Sequence, residues 1–435
     1  MSLPTATLRP YNTLHATMMI TNRCTTTTSQ HSSQPLLDLK ITTSTLKITT
    51  SSANSHNKEK GIMGICNKWM EYQGIKDWEG LLDPLDDQLR MHILSYGHFV
   101  EAAYRSFDFD VASPTYATCR YEEDSMLARC GLGKSGYKVV RNLYATSAVC
   151  IPRWMKRVPT LVSPRSSWIG YVAVCDDVEE ISRLEHRNVV IAFRGTATLS
   201  EWLENLRATL TCLPDDMAPA DCTCPPMVQS GLLSLYTSSY ECCQSLQDSI
   251  REEIPKILEK FNNDNESLSI TITGHSLGAA LAILTAYDIT TQFRHAPPVT
   301  VVSFGGPRVG NHHFRSQLEA NGTKILRIVN SDDPITKVPG FVFDDVAVSG
   351  AGMPRWLRKW VEDTRYAYAE VGKELRLSSK DCPEVIGSGN VATCHDLKTY
   401  LHLINNFVSS NCPLRATAKR VIKMEQSKTK ASAPV

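Results

Sequence analysis

Nowhere in this sequence does an uncharged apolar run reach the roughly 18 residues that a membrane-spanning helix needs, which excludes such a span. Surplus charge is missing too. With 46 Lys and Arg against 45 Asp and Glu the net charge is +1, so no global field points to nucleic acid or to purely electrostatic membrane binding. The fourteen cysteines lack paired C-x-x-C spacing. Their tightest cluster, Cys212, Cys222, Cys224, Cys242 and Cys243, has no histidine nearby, so no metal is expected; free thiols or one or two local disulfides are the simpler reading. Acids are scarce in the first 60 residues, which hold only Asp38 and Glu59 beside 22 Ser or Thr and six Lys or Arg. No apolar stretch there is long enough for a secretory signal. Hydroxyl residues far outnumbering arginines are the composition of a plastid-type transit peptide over residues 1–60; a disordered tail without an address is the alternative.

What is present is an ordinary globular balance over 435 residues, 42% hydrophobic and 21% charged, which allows one large domain with a tail. Asp86 precedes apolar residues at Leu89, Ile93, Tyr96, Phe99, Val100 and Ala103, a spacing of three and four that predicts a capped amphipathic helix. Four runs have the character of buried strands: Val189 to Phe193, Leu268 to Thr273, Val299 to Phe304 and Lys324 to Val329. Between and around them lie helix-length segments, Gly231 to Phe261, Gly278 to Phe293 and His312 to Ala320. Such alternation predicts an α/β fold, a mostly parallel central sheet with helices on both faces and its chemistry at the carboxyl ends of the strands. The basic stretch from Lys419 onward reads as a flexible, solvated tail over 419–435, which leaves 61–418 as the folded domain.

The strongest local signal is Gly274-His275-Ser276-Leu277-Gly278, placed directly after the β-branched run Ser269 to Thr273 and directly before a helical run. A serine on so sharp a strand-to-helix turn needs glycines two residues to either side, because side chains there would clash. The turn is expected to expose the Ser276 hydroxyl at a helix N-terminus, where the N–H of Leu277 favours a developing negative charge. A serine nucleophile also requires a base and an orienting acid, which follow it in the chain in folds of this kind. Asp332 and Asp333, just after the strand ending at Val329, compete for the acid, and the residues alone do not separate them. His395 and His402 are the histidines downstream; His395, at the start of a helical pattern, reaches back over the sheet more easily. The second oxyanion donor is expected after an earlier strand, where Arg194-Gly195-Thr196 follows Phe193 and makes Thr196 the candidate.

Taken together, the segments Trp78 to Leu85, Ile191 to Thr198, Glu201 to Leu206, Gly274 to Gly278, and His395-Asp396-Leu397 with Tyr400-Leu401-His402 resemble the class 3, fungal-type lipases. Among these the nearest likeness is to the plastid phospholipases A1 of plants, over about Trp69 to Val408. The resemblance implies an α/β-hydrolase fold without metal or organic cofactor, and it favours Asp333, six residues before Pro339, together with His395 and Thr196. It implies hydrolysis of the sn-1 acyl ester of phosphatidylcholine, with galactolipids and triacylglycerol as further substrates. The partner is then lipid at a bilayer surface, met peripherally. Where such lipases carry a lid lies the region 199–228, in which a helix from Ser200 to Thr209 would align Trp202, Leu203, Leu206 and Leu210 on one face. Two other functions share these residues: an acyltransferase using the same triad, and a non-catalytic lipid-responsive scaffold.

Overall fold

A computed structural model describes residues 68–146, 166–196, 209–218, 225–239, 243–261, 267–293, 295–339, 368–381 and 391–409. Seven of its strands form one sheet: β1 (Tyr137–Thr146), β2 (Ser166–Cys175), β3 (Arg187–Phe193), β6 (Leu268–His275), β7 (Val299–Phe304), β8 (Lys324–Asn330) and β9 (Lys373–Leu377), hydrogen-bonded in that order. From β3 to β9 every neighbour is parallel, whereas β1, β2 and β3 pair antiparallel. Two short strands, β4 (Leu210–Cys212) and β5 (Met227–Gln229), make a separate antiparallel pair.

The expected strands are all present and extend by no more than two residues. They are legible because both their faces are buried: every residue of β3 is buried. Alternate side chains then divide between two cores. Val189, Ile191 and Phe193 join Ile272 and Val301 on one side, packed by helices α3 (Leu246–Phe261) and α4 (Leu277–Gln292). Val190 and Ala192 join Val302, Phe304 and Ile328 on the other, packed by α1 (Asp87–Ser106) and α6 (Leu397–Asn406). Asp86 caps α1 by accepting from the Leu89 N–H at 3.0 Å.

The segment Gly231 to Phe261 is not one helix. It divides into α2 (Ser230–Thr237) and α3, because Ser245 starts a new helix: its Oγ accepts from the Asp248 N–H at 3.0 Å and donates to the Asp248 carboxylate at 2.7 Å. Helix α5 (His312–Ala320) has the expected bounds.

Parallel register brings the strand ends level. Phe193 lies opposite Gly274, His275 opposite Phe304, and Asn330 opposite Leu377. The chain beyond β3, β6, β8 and β9 therefore emerges along one edge. Helix α6 is tied across to the first part of the fold, since the Leu85 N–H donates to the Val408 carbonyl at 3.0 Å and Arg90 donates to the Ile404 carbonyl. Residues 1–67 and 410–435, with the expected transit peptide and the whole basic tail, lie outside the described residues.

Candidate active site

Ser276 follows β6 and caps α4 with φ 58° and ψ −123°, a backbone conformation that an L-residue holds only when its surroundings enforce it. Gly278 shows what enforces it. A Cβ there would stand 2.5 Å from the Arg194 carbonyl oxygen and 2.6 Å from that of Phe193, so the start of α4 presses against the end of β3. A Cβ on Gly195 would likewise meet the His275 carbonyl at 2.9 Å, so the Arg194-Gly195-Thr196 turn lies directly on the serine turn.

The Ser276 side chain is not exposed as the motif suggests. It is buried, at 3% accessibility, and faces a cavity of about 690 Å³ whose wall includes Thr196, His275 and His395. Leu277 opens α4, so its N–H has no acceptor within the helix. Thr196 lines the same cavity as Ser276, and Leu277 follows Ser276 directly in the chain.

From the hydroxyl a chain of hydrogen bonds runs inward. Ser276 Oγ lies 2.8 Å from His395 Nε2, and His395 Nδ1 lies 2.6 Å from Asp333 Oδ2. A carboxylate only accepts, so the Nδ1–H donates to Asp333, and Nε2 of the neutral ring is left to accept the serine proton. Asp333 is fully buried and accepts from two further donors, Tyr400 Oη on Oδ2 at 2.6 Å and the Ile335 N–H on Oδ1 at 2.9 Å. Burial, reinforced by the neighbouring carboxylate, pushes the Tyr400 phenol well above its usual value, which keeps it a donor.

The alternatives point elsewhere. Asp332 pairs with Lys380 at 3.0 Å and accepts from Ser378 at 3.1 Å; these contacts outweigh its partial burial and hold its carboxyl below the usual range. His402 Nε2 is 3.0 Å from Asn406 Nδ2 on α6, half-buried. The structure therefore joins Ser276, His395 and Asp333, and leaves Asp332 and His402 outside that chain.

Around it is a shell that spacing did not reveal. The His275 Nε2–H donates to the His395 carbonyl at 2.7 Å, which leaves Nδ1 to accept from Tyr104 Oη at 2.8 Å. Burial first, and then His395 beside it, push the His275 imidazole well below its ordinary value, so the ring stays neutral. Asn330 holds the loops on either side: its Nδ2 donates to the Cys394 carbonyl at 2.9 Å, and its Oδ1 accepts from the Ser379 N–H at 3.1 Å. Arg194 anchors the turn before Thr196. Its guanidinium, buried and thereby lowered to about 10, donates to the carbonyls of Trp168 and Gly195 and to Ser167 Oγ, and stacks on Phe107 at 3.6 Å. No sequence period links Tyr104 to His275, 171 residues away; only the Tyr at the fifth position after His395 was visible, as part of a motif.

Trp202, Leu203 and Leu206 lie outside the described residues. Leu210, expected on the same helical face, instead opens β4 and pairs with Gln229. Among the described residues no group of three or more His, Cys, Asp or Glu is placed to hold a metal, and no helix is long and apolar enough to cross a membrane.

The family model described as Lipase (class 3) matches residues 190–343, a span that contains the Thr196 turn, Ser276 and Asp333. A chloroplastic phospholipase A(1) of Arabidopsis thaliana, DAD1, is 60% identical over 363 residues, covering 82% of this chain and 80% of that protein. The chloroplastic galactolipase DONGLE, also of Arabidopsis thaliana, is 39% identical over 346 residues, covering 78% of this chain and 69% of its own length. Among solved structures, a lipase from Rhizopus microsporus var. chinensis is 18% identical with a TM-score of 0.41, covering 68% of this chain and 76% of that one.

Proposed function

The chain belongs to the class 3 lipase family, and from that premise we propose that it is a plastid phospholipase A1 that releases the sn-1 fatty acid of phosphatidylcholine. It is a carboxylic ester hydrolase acting on lipid. The observation that carries its mechanism is the unbroken Ser276–His395–Asp333 hydrogen-bond chain opening onto a cavity.

In this mechanism His395 Nε2 removes the Ser276 proton as Oγ attacks the ester carbonyl, while Asp333 fixes the imidazole tautomer and stabilises the imidazolium that forms. The N–H groups of Thr196 and Leu277 bind the oxyanion. Collapse of the tetrahedral intermediate passes the proton to the lysolipid oxygen and leaves an acyl-serine. Water, deprotonated by the same imidazole, then cleaves the acyl-serine and frees the fatty acid. The enzyme meets its lipid at the bilayer surface, and galactolipids and triacylglycerol are further substrates. Residues 1–60 are the transit peptide, 61–418 the hydrolase domain and 419–435 a basic tail. The segment 199–228 is the lid region, with Trp202, Leu203 and Leu206 as its lipid-facing residues.

The test is product analysis with purified enzyme on phosphatidylcholine labelled in the sn-1 chain. Free labelled fatty acid with unlabelled lysolipid supports the proposal. Label in a new ester identifies an acyltransferase, and label confined to lysolipid identifies the opposite positional selectivity. The lid has its own test: Leu206→Asp is expected to lower activity on vesicles several-fold more than on a soluble short-chain ester. Equal loss on both removes the lid.

A further inference from the structure

Four charged side chains line the Ser276 cavity without any task in the chemistry above. Glu101 and Arg105 stand one turn apart on α1, and Asp396 and Lys398 stand at the start of α6. Arg105, Asp396 and Lys398 are exposed, and Glu101 is half-buried. Some exposed charges elsewhere pair with one another, as Arg183 does with Glu180 at 2.6 Å and Lys138 with Asp176 at 2.9 Å. Among the described residues none of the four cavity charges has an ion-pair partner. Arg105 spends one N–H on the Cys130 carbonyl at 3.1 Å, and Asp396 accepts from the Lys398 backbone N–H at 3.2 Å.

Two positive and two negative groups held apart around one opening complement a ligand with both signs of charge. A galactosyl headgroup would offer them only uncharged hydroxyls, without charge-assisted pairing, and a simple anion would answer only two. We propose that the mouth of this cavity is a headgroup subsite for zwitterionic phospholipid, in which Arg105 and Lys398 take the phosphate while Glu101 and Asp396 face the ammonium group. The inference rests on Ser276 being the acyl-ester nucleophile, and it adds a structural reason for phospholipid to be preferred over neutral lipid. A guanidinium fork suits a phosphate's paired oxygens, and the ammonium of Lys398 adds a second, point-like contact.

The test uses soluble glycerophosphocholine and galactosylglycerol as competitors of p-nitrophenyl butyrate hydrolysis, in the full enzyme and in its R105Q/K398Q variant. Glycerophosphocholine is expected to inhibit the unaltered enzyme and to need roughly tenfold more concentration in the variant, the loss of two partly solvated charge contacts; galactosylglycerol is expected to inhibit neither. In mixed micelles the phosphatidylcholine to monogalactosyldiacylglycerol ratio of kcat/KM should fall by a similar factor and recover in R105K/K398R. Glu101→Gln should shift preference from phosphatidylcholine toward phosphatidylglycerol, which carries phosphate without ammonium. Inorganic phosphate inhibiting as well as glycerophosphocholine would reduce the site to a plain anion site and overturn the zwitterion. An unchanged ratio, or equal loss on both lipids, overturns the subsite itself. Failure of the esterase reading looks different, because the unaltered enzyme would then hydrolyse none of these esters.

Discussion

Tyr400 donates its phenolic proton to Asp333 Oδ2 at 2.6 Å, the same oxygen that accepts from His395 Nδ1 at 2.6 Å. The acid that orients the histidine is thus itself oriented from α6. A hydrogen bond to a buried charge contributes on the order of 1.5–3 kcal/mol. Tyr400→Phe should therefore lower kcat on a soluble ester by about tenfold and also lower the melting temperature, because the Asn330 N–H, 3.2 Å from the same hydroxyl, loses its acceptor. Unchanged kcat with lowered stability would make Tyr400 a packing residue only.

Asp333→Asn should be far more damaging. Its amide would favour the wrong His395 tautomer, at a loss on the order of ten-thousandfold in kcat. Asp332→Asn removes only a part-exposed pair with Lys380, so activity should stay within about twofold and stability within about 1 kcal/mol. Steady-state kinetics on the two variants compares them directly; a reversed order assigns the acid to Asp332.

Ser276→Ala should abolish hydrolysis, by about a millionfold, while the circular-dichroism spectrum and melting temperature stay close to those of the parent. The hydroxyl's hydrogen bond goes to His395, and the backbone turn is enforced by the packing around Gly278. Gly278→Ala is the complementary case. Its Cβ would meet two carbonyl oxygens of β3 and the following turn, which are backbone and cannot swing aside, so destabilisation of at least about 1–3 kcal/mol should accompany loss of activity. Calorimetry on this pair separates chemistry from architecture; a stable Gly278→Ala enzyme would refute the steric argument.

Stability should also fall in mild acid. His92, lowered to about 4 chiefly by burial, and His186 and His275, both lowered chiefly by burial, stay neutral in the folded chain. The unfolded chain takes up those protons as pH falls through about 6.5, and the folded one does not until lower pH, so unfolding gains ground from about pH 6.5 down to about 4. The melting temperature is expected to be lower at pH 5 than at pH 7.5, and His92→Gln should flatten that slope. Equal melting temperatures at the two values would mean that these imidazoles are hydrated.

What the sequence disclosed followed from its periodicities. Doubly buried strands such as β3 read as continuous apolar runs, and the Gly274 to Gly278 turn is steric enough to be spelled in residues. Edges were less visible: β9, Lys-Glu-Leu-Arg-Leu, is short and charged as an exposed edge must be, and β1 is only partly buried. The division between α2 and α3 was present in Ser245 and Asp248, a cap signal inside an otherwise helical pattern. The choice between Asp332 and Asp333 had no local signal, since both follow the same strand and only partners distant in the chain, Tyr400 and His395 against Lys380, distinguish them. The Tyr104–His275–His395 contacts were illegible for the same reason.

The bonds that tie Leu85 to Val408 and Arg90 to Ile404 join segments more than 300 residues apart, and His395 stands just before the later one. In a chain that emerges N-terminus first, as from a ribosome, the segment around Asp86 arrives early and Ser276 follows, but the imidazole that would activate it comes 119 residues later. Ser276 can be buried and its turn complete while it still has no base. A partly emerged chain that ends between Ser276 and His395 holds the serine without the imidazole that would activate it.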